Sequence, residues 1–423
     1  MDSGEISAWQ YSTRQPVRVR WKGGVITQVE TPASTPPPET WIAPALFDLQ
    51  VNGFAGVDFQ QDGLAVEDLL RATRALRRAG CARILLTLVT DEWPRLTARL
   101  RHLHSLRARS AELQAAIAGW HIEGPFLSAE PGFHGAHDPA LMLDPTPERI
   151  RELRELTGND PLLLTLSPER TGAIEAIQFA TAHGIKISLG HTDASAEILA
   201  QAVQAGATMF THLANGCPRE LDRHDNILWR VLETRGLTVS LIPDKTHVSP
   251  APFRLIHRAL GGEKIFYTTD AMSSAGAPSG TFHLGRMELE VGLDQIVRQP
   301  GQSNFAGSAL QPVAGVFRAA EMLDCPWQET WARLSETPAK AMGLRIELAA
   351  GQPATFCELN LTPGRPTDEP TQTRPLPGGE QDDGRVTAIP LLGRARGGFR
   401  DTNHRPRVVD SLPELRICVN GDW

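Results

Sequence analysis

Short apolar runs of β-strand character alternate with helical patterns between residues 43 and 270. Apolar runs of this length, without polar alternation, are typical of parallel strands that helices cover on the outside. Eight such strands, each followed by a helix, predict a closed (β/α)8 barrel of the TIM type rather than an open sheet. The predicted strands are Ala43–Gln50, Ala82–Thr90, Ala115–Glu123, Pro161–Ser167, Lys186–His191, Thr208–His212, Leu237–Pro243 and Lys264–Asp270.

Helix signals lie between these runs. Leu64–Arg78 repeats apolar positions at helical spacing and stops at Gly80. Thr146 and Pro147 combine an N-cap residue with proline at the first helical position. The helical patterns at 171–183 and 250–260 each stop at a glycine, which is the residue most favoured just past a helix C-terminus.

Both ends of the chain differ from its middle. Residues 5–30 carry short alternating runs, and strand-like runs return at Arg345–Leu361. We therefore predict a small β-sandwich-like domain from residues 1–42 and 344–423, beside a barrel domain of residues 43–343. Residues 363–383 are rich in Pro, Gly, Glu and Asp, which predicts a flexible loop. Residues 386–423 have no recognisable pattern.

The composition is that of a globular protein, because 41% of the 423 residues are hydrophobic and 22% are charged. A net charge of −7 offers no general positive field for nucleic acid. No run of about 18 apolar residues suggests a membrane span, and the acidic N-terminus has no apolar signal core. Five scattered cysteines predict neither a disulfide framework nor a Cys-x-x-Cys zinc site. We therefore predict a cytoplasmic protein with no nucleic-acid or membrane partner.

Four residues with the chemistry of a hydrolase lie at the carboxyl ends of predicted strands: Glu123, His191, His212 and Asp270. In a (β/α)8 barrel these strand ends meet at one rim, where active sites form. Two imidazoles and one carboxylate suit Zn²⁺ or Fe²⁺ and leave a position for water. Asp270, as an additional carboxylate, can accept a proton from that water and pass it to a leaving amine. The set is sufficient for the hydrolysis of an amide.

His121 is the ambiguous neighbour of this group. It lies two residues before Glu123, so both side chains face the same way on a strand. It could be a further ligand, but we expect a supporting hydrogen bond from His121 to a ligand instead. Each of the four residues also has a structural explanation when taken alone, such as a helix N-cap for Asp270. Their shared rim favours a catalytic site.

Seven stretches of the predicted barrel stand out as motifs: Asp48–Asp58 (DLQVNGFAGVD), His121–Phe126 (HIEGPF), Gly135–Pro139 (GAHDP), Gly190–Ala194 (GHTDA), Thr211–Asn215 (THLAN), Thr269–Met272 (TDAM) and Ala306–Leu310 (AGSAL). Their order and spacing resemble the N-acetylglucosamine-6-phosphate deacetylase family of the amidohydrolase superfamily. The resemblance covers residues 43–343 and fades after Leu361.

This resemblance implies a metal-dependent deacetylase. It assigns Glu123, His191 and His212 as metal ligands, and a metal-activated water attacks the amide with Asp270 as general base and then acid. His137 matches a histidine that contacts the acetyl carbonyl, where it can stabilise the oxyanion of the tetrahedral intermediate.

The first predicted strand indicates how many metal ions the site holds. Many amidohydrolases carry a His-x-His pair there that binds a second metal, whereas this chain has Gln50 and Asn52. Amide side chains are weak metal ligands, so we expect one divalent ion per chain. Zn²⁺ is the preferred ion, with Fe²⁺, Mn²⁺ and Co²⁺ as alternatives.

The resemblance also implies N-acetylglucosamine 6-phosphate as substrate. Asn215 and Gly216 match the position that meets the sugar phosphate, and His247 matches a second phosphate or sugar contact. Arg223 matches an arginine that binds the phosphate, in this family often across a dimer interface, so we expect a homodimer. The planar fork of arginine pairs bidentately with phosphate oxygens. Nearby competitors for this role are Arg219 and Arg230.

Two departures from the family pattern leave alternatives open. Lys245 stands in Asp244–His247 where the family has a glycine, and Gly216-Cys217 replaces Ala-Met. The substrate could therefore be another N-acetyl amino sugar, such as N-acetylgalactosamine 6-phosphate or an unphosphorylated compound. A third alternative is a barrel that has lost catalysis and serves as a binding protein, although such relatives usually lack the metal ligands.

Overall fold

The computed structural model describes residues 3–292, 294–300, 305–361 and 414–419. Its strands are β1 Ser3–Gln10, β2 Pro16–Lys22, β3 Val25–Glu30, β4 Thr40–Pro44, β5 Leu46–Val51, β6 Gly53–Phe54, β7 Val57–Asp58, β8 Cys81–Val89, β9 Ile117–Glu123, β10 Leu162–Leu166, β11 Lys186–Leu189, β12 Met209–Phe210, β13 Thr238–Leu241, β14 Ile265–Tyr267, β15 Gly280–Leu284, β16 Met287–Val291, β17 Val297–Arg298, β18 Phe356–Asn360 and β19 Glu414–Cys418.

The α-helices lie mainly between the strands of the central sheet. They are α1 Val66–Arg78, α2 Trp93–Ala108, α3 Ala111–Ala116, α4 Pro147–Thr157, α5 Ala173–Ala182, α6 Ala196–Ala205, α7 Ile227–Glu233, α8 Pro250–Leu260, α9 Pro312–Leu323, α10 Gln328–Trp331 and α11 Glu336–Ala341. Short 3₁₀ helices occur at Pro139–Leu141, Gly262–Lys264 and Ala332–Leu334. In the described part of the chain, none of these helices has the length and apolar character that crossing a bilayer requires.

The central sheet has eight strands in the order β14-β13-β12-β11-β10-β9-β8-β5, and its neighbours run parallel. A parallel bridge from Val51 to Ala271 joins the end of β5 to the segment after β14 and closes the ring. Each of the eight predicted runs overlaps one barrel strand. The prediction of a TIM-type (β/α)8 barrel is therefore confirmed.

Capping residues explain where the helices begin and end. The Thr146 hydroxyl accepts a hydrogen bond from the Arg149 amide, and Pro147 occupies the first turn of α4. Ser195 caps α6 in the same way. Gly206 ends α6 with a φ of +116°, a conformation that glycine adopts without the steric cost of a Cβ.

Alternation along each strand divides the barrel core into two layers. On β8, Leu86 and Leu88 face outward into the main apolar cluster, together with Leu69 and Leu76 of α1. Leu85, between outward-facing neighbours, belongs to a second cluster inside the barrel, with Phe47, Leu49, Ala118, Leu163, Met209 and Phe266. The filled interior holds the strand ends in fixed positions, which is what a precise site at the rim requires.

The two ends of the chain form one six-stranded sheet in the order β19-β18-β4-β1-β2-β3. β1 and β4 run parallel, whereas the other neighbours run antiparallel. Trp21 and Phe356 meet edge to face, with ring centroids 5.4 Å apart, in the apolar cluster of this sheet. The sequence predicted the small β-unit but not β19. The boundaries at 42/43 and 343/344 stay a prediction, and the predicted loop at 363–383 lies outside the described residues.

A hairpin follows the last barrel strand. β15 and β16 pair antiparallel around the two-residue turn Gly285-Arg286, and β17 adds a third strand. We did not predict this hairpin from the sequence. The signal was present, because Leu289 and Val291 alternate with glutamates after a glycine-containing turn.

Candidate active site

The four residues that the sequence places at strand ends come together at one rim of the barrel. Glu123 is the last residue of β9, and His191 and His212 each follow their strand by two residues. Asp270 follows β14 by three residues. The carboxyl ends of parallel strands meet at this rim, so residues far apart in sequence become neighbours.

Glu123, His191 and His212 form a compact cluster in which one ligand atom from each lies within 4.8 Å of the others. Glu123 Oε1 lies 2.9 Å from His212 Nε2 and 3.5 Å from His191 Nε2. All three side chains are buried. Burial raises the pKa of Glu123, but hydrogen bonds from His191 and His212 outweigh it and hold this pKa well below the usual range.

The ring of His191 is fixed for metal binding. Its Nδ1 donates to the Phe133 carbonyl at 2.8 Å, and its Nε2 is the ring nitrogen that faces Glu123. Gly135 and Gly216 confine the ring from two loops, since a Cβ at either would lie 2.8 Å from a ring atom. A fixed imidazole whose Nε2 faces the other members of the cluster is what a metal ligand requires.

His212 also fits a metal-binding role. Its ring meets the His191 ring at 89°, with centroids 4.9 Å apart. Its buried Nδ1 has no hydrogen-bond partner among the described residues, so the only polar contact of the ring is the one to Glu123. Two imidazoles and one carboxylate, converging in a buried site, match the donor set of a zinc-type ion.

The backbone is strained where these side chains enter the site. His191, His212 and Asp270 have φ values of +51°, +33° and +51°. Non-glycine residues in this left-handed region cost roughly 1–3 kcal/mol each, and such strain concentrates at functional sites. Each of these residues follows a barrel strand by two or three positions, and the abrupt change of direction there places its side chain over the barrel mouth.

Asp270 lies beside the cluster and is oriented by Asn52, whose Nδ2 donates to Oδ1 at 2.7 Å. Burial, together with the negative charge of Glu123, raises the pKa of Asp270 to about 8. Without a cation nearby, the carboxyl group is therefore mostly protonated at neutral pH. A divalent cation bound beside Glu123 would lower this pKa and favour the accepting form.

Gln50 and Asn52 use their amide groups to orient carboxylates. Gln50 Nε2 donates to Glu123 Oε1 at 3.0 Å, as Asn52 does to Asp270. Both carboxylates thus accept a hydrogen bond from β5 or the residue that follows it. Gln50 and Asn52 therefore orient the two carboxylates. They do so by donating N–H groups to them, and not by binding a metal through their amide oxygens.

His121 does not have the role that we expected. Its Nδ1 donates to the Leu49 carbonyl at 3.0 Å, and its Nε2 contacts the Thr165 hydroxyl at 2.8 Å. Burial lowers the pKa of His121 to about 4, so the ring is neutral. The expectation of a hydrogen bond from His121 to a metal ligand was wrong. His121 precedes Glu123 by two residues on β9, so its side chain lies deeper in the barrel, where it meets polar groups of the interior instead of the ligands. Thr165 continues this interior network to Thr211.

His137 faces the cluster from the loop after β9. Its Nε2 lies 3.9 Å from Glu123 Oε2, and its ring meets the His191 ring with centroids 4.6 Å apart. Its Nδ1 contacts the Thr90 hydroxyl at 2.9 Å. Burial and the neighbouring His191 lower the pKa of His137 to about 3.

A cavity of about 730 Å³ opens above the cluster. Asn215, Gly216 and His247 line it, and Asp244 Oδ2 accepts a 2.6 Å hydrogen bond from His247 Nδ1. This bond leaves Nε2 of His247 for a ligand. The predicted site residues on the loops after β12 and β13 therefore share one cavity with the cluster.

Arg223, the predicted phosphate contact, is exposed and is not among the described residues that line this cavity. Arg219, its competitor in the sequence analysis, does line the cavity. Lys245 forms an ion pair with Glu321 on α9, with its Nζ 2.6 Å from the carboxylate. The backbone of Lys245 has a φ of +71°, at the position where the family pattern has glycine. The extra positive charge suggested by Lys245 is thus neutralised by an ion pair.

The hairpin β15–β16 forms a wall of the cavity that the sequence analysis missed. Its residues Leu284–Met287 line the cavity opposite the barrel. Gly285 N donates to Asp58 Oδ2 at 2.8 Å, and Arg286 pairs with Glu92 at 2.9 Å. These two contacts hold the turn of the hairpin over the site.

A parallel eight-stranded barrel with a carboxylate and two imidazoles at its carboxyl rim defines a hydrolase of the amidohydrolase type. The N-acetylglucosamine-6-phosphate deacetylase of Vibrio furnissii is 30% identical over 310 residues, which are 73% of this chain and 75% of that protein. The human protein of the same name is 31% identical over 317 residues, which are 72% and 75% of the two chains. The chain belongs to the N-acetylglucosamine-6-phosphate deacetylase family.

Other comparisons agree with the fold. A structure of the Mycobacterium smegmatis N-acetyl-D-glucosamine-6-phosphate deacetylase, a variant in complex with N-acetyl-D-glucosamine-6-phosphate, has a TM-score of 0.76 and 27% identity. The match covers 85% of this chain and 96% of that chain. The N-acetylgalactosamine-6-phosphate deacetylase of Escherichia coli O157:H7 is 29% identical over 338 residues, which are 79% of this chain and 88% of that protein. No family model matches the chain.

Proposed function

We propose that this chain hydrolyses the N-acetyl group of N-acetylglucosamine 6-phosphate and releases glucosamine 6-phosphate and acetate. The observation that carries the proposal is the cluster of Glu123, His191 and His212 beside Asp270, buried at the base of one cavity. The choice of substrate follows the relatives, which are N-acetylglucosamine-6-phosphate deacetylases. The sequence expectations of a cytoplasmic location and a homodimer belong to the same proposal.

The cluster would hold one divalent cation per chain through Glu123 Oε, His191 Nε2 and the ring of His212. A divalent cation there supplies Lewis acidity, which lowers the pKa of water and polarises a carbonyl. Zn²⁺ fits two imidazoles and a carboxylate best, and Fe²⁺, Mn²⁺ or Co²⁺ are the alternatives. The amides of Gln50 and Asn52 donate to carboxylates, which supports one ion rather than two.

Asp270 would move the protons of the reaction. It accepts a proton from the attacking water and then donates it to the amine as the carbon–nitrogen bond breaks. Asn52 keeps the carboxyl group oriented through its 2.7 Å hydrogen bond. With the Thr90 hydroxyl as donor to Nδ1, His137 carries its proton on Nε2 and can donate it to the acetyl oxygen.

Asn215, Gly216 and His247 would bind the sugar phosphate on the wall formed by the loops after β12 and β13. Arg219 adds a permanent positive charge to the same cavity from the same chain. Arg223, which lies outside it, would reach a phosphate only in the cavity of a second copy, as the expected homodimer provides. The epimer N-acetylgalactosamine 6-phosphate is the second candidate substrate, because a deacetylase of that name matches 79% of this chain.

The two arginines are expected to differ. Arg219→Ala should lower kcat/KM for the phosphorylated sugar roughly 10- to 150-fold, the range for one charge-assisted hydrogen bond, and barely change turnover of the unphosphorylated sugar. Arg223→Ala should show a similar loss only at protein concentrations where the chain is dimeric. Kinetics on both sugars at several protein concentrations check this. The matched control is Arg235→Ala, which removes an exposed arginine outside the cavity wall. Equal losses on both sugars would mean that the arginines are structural.

Gly216→Ala is expected to weaken metal binding. The new Cβ would lie 2.8 Å from His191 Nδ1 and push the ring from its hydrogen bond with Phe133. Loss of such an orienting contact typically lowers metal affinity about 10–100-fold. Gly184→Ala is the matched control, because Gly184 has a similar φ of +72° and nothing within 4 Å of a new Cβ. Equal metal affinity in the two variants, measured by competition with a chelator, would contradict the role of Gly216.

A substrate panel tests the function itself. Acetate release should be measured from N-acetylglucosamine and N-acetylgalactosamine, each with and without the 6-phosphate. The proposal expects the highest kcat/KM for N-acetylglucosamine 6-phosphate. A higher kcat/KM for N-acetylgalactosamine 6-phosphate would favour the second candidate substrate. Equal kcat/KM values with and without the 6-phosphate would contradict the proposed phosphate site.

A further inference from the structure

A second cavity, of about 240 Å³, lies at the opposite end of the barrel. Its walls include Ala45 and Leu46 where β5 begins, and Ala82 and Arg83 where β8 begins. Further lining residues come from the segment between the barrel and the small sheet, and from Ala115 and Val419; those of the segment are Arg345, Ile346, Glu347, Gln352, Pro353 and Thr355. Amino ends of parallel strands face away from the catalytic rim, and no described residue lines both cavities. The two cavities are therefore separate.

Arg83 is the unusual residue of this cavity. Its Nε is buried and has no hydrogen-bond partner, and none of the carboxylates in the described part of the chain pairs with it. Arg107 is close enough for its charge to act on Arg83, and it is itself paired with Asp160 at 3.0 Å. Burial and the positive charge of Arg107 lower the pKa of Arg83, although a guanidinium remains charged in a protein. A partly buried cation without a counter-ion is costly unless something else neutralises it.

The remainder of the cavity narrows the kind of molecule that could neutralise Arg83. Arg345 and Glu347 pair with each other at 2.8 Å, so among the described lining residues only Arg83 adds an unbalanced formal charge. The walls beside it include the aliphatic side chains of Leu46, Ile346 and Val419. Pockets for drug-sized ligands begin at ~300 Å³. The cavity of about 240 Å³ is smaller, so it has room only for a small molecule.

We infer that this cavity is a second ligand site, which binds a short-chain organic monocarboxylate through Arg83. The guanidinium fork pairs with the two carboxylate oxygens, and a monoanion balances the single positive charge. The aliphatic tail packs on Leu46, Ile346 and Val419. The inference does not depend on the proposed deacetylase function, since it uses none of the residues of the catalytic cavity.

Binding of butanoate to the full-length protein, measured by calorimetry, tests the site. We expect saturable binding of butanoate and none of butanamide, which has the same shape without the charge. Arg83→Met should weaken binding about 10- to 150-fold, the loss expected for a charge-assisted hydrogen bond. Arg109→Met, which removes an exposed arginine that does not line the cavity, should bind like the wild type.

Two further measurements separate this site from the catalytic one and from a folding defect. His212→Ala should bind butanoate as tightly as the wild type, because His212 lines the other cavity. Butanoate should raise the Tm of the wild type but not that of Arg83→Met, which should be at least as stable without ligand. Absence of saturable binding, equal binding by Arg83→Met, or loss of binding in His212→Ala would each overturn the inference.

Discussion

Asp270→Asn is expected to keep the fold and the metal but to lower kcat about 10²–10⁴-fold, the usual contribution of general acid–base catalysis. The asparagine amide has nearly the same shape as the carboxyl group but cannot accept a proton from water. The oxygen of the new side chain can still receive the 2.7 Å hydrogen bond from Asn52, so the position of the residue should be preserved. Steady-state kinetics and metal content of the purified variant are the measurements.

Asp138→Asn is the matched control for this variant. Asp138 lies on the same cavity and caps a short 3₁₀ helix through its bond to the Ala140 amide, a role that asparagine fills equally well. Its kcat should stay near that of the wild type. Near-normal turnover by Asp270→Asn would mean that another group moves the protons.

His212→Ala should lose both stoichiometric metal and activity. The variant keeps only Glu123 and His191 of the cluster, and these cannot complete a tetrahedral site with one open position. The loss of activity should exceed the ~10–100-fold that follows removal of an outer partner of a metal ligand. Metal analysis after dialysis, together with kcat/KM, checks both effects.

His224→Ala serves as the control for His212→Ala, since His224 is exposed on the loop after β12 and does not line the cavity. It should keep one metal ion per chain and full activity. Full metal content in His212→Ala, or two ions per chain in the wild type, would contradict the assignment of a single site at this cluster.

The barrel could be predicted because its signal is local and repeated. Each strand carries its own apolar run, and caps such as Thr146 and Ser195 mark the helices between them. β19 could not be predicted, because it becomes a strand only by pairing with β18, more than fifty residues away in sequence. Pairing partners at such separation leave no local pattern, and the sheet rather than the segment decides the conformation.

The cluster at the rim could also be predicted from the sequence, because the carboxyl ends of parallel strands meet at one rim. The roles assigned to its members remain predictions for the experiments above. One error arose where the neighbours of a side chain mattered. His121 points into the barrel interior toward Leu49 and Thr165 rather than toward a metal ligand. Alternation along a strand predicts which face a side chain occupies, but not which atoms it meets there.

The most direct test of the proposed deacetylase is acetate release from N-acetylglucosamine 6-phosphate by the wild-type chain before and after metal removal. We expect one acetate for each glucosamine 6-phosphate formed, loss of activity when a chelator removes the metal, and recovery with one equivalent of Zn²⁺ per chain. Recovery that requires two equivalents would contradict the single-metal site. Absence of acetate from the fully loaded protein, on both this sugar and its galactosamine epimer, would contradict the proposed function.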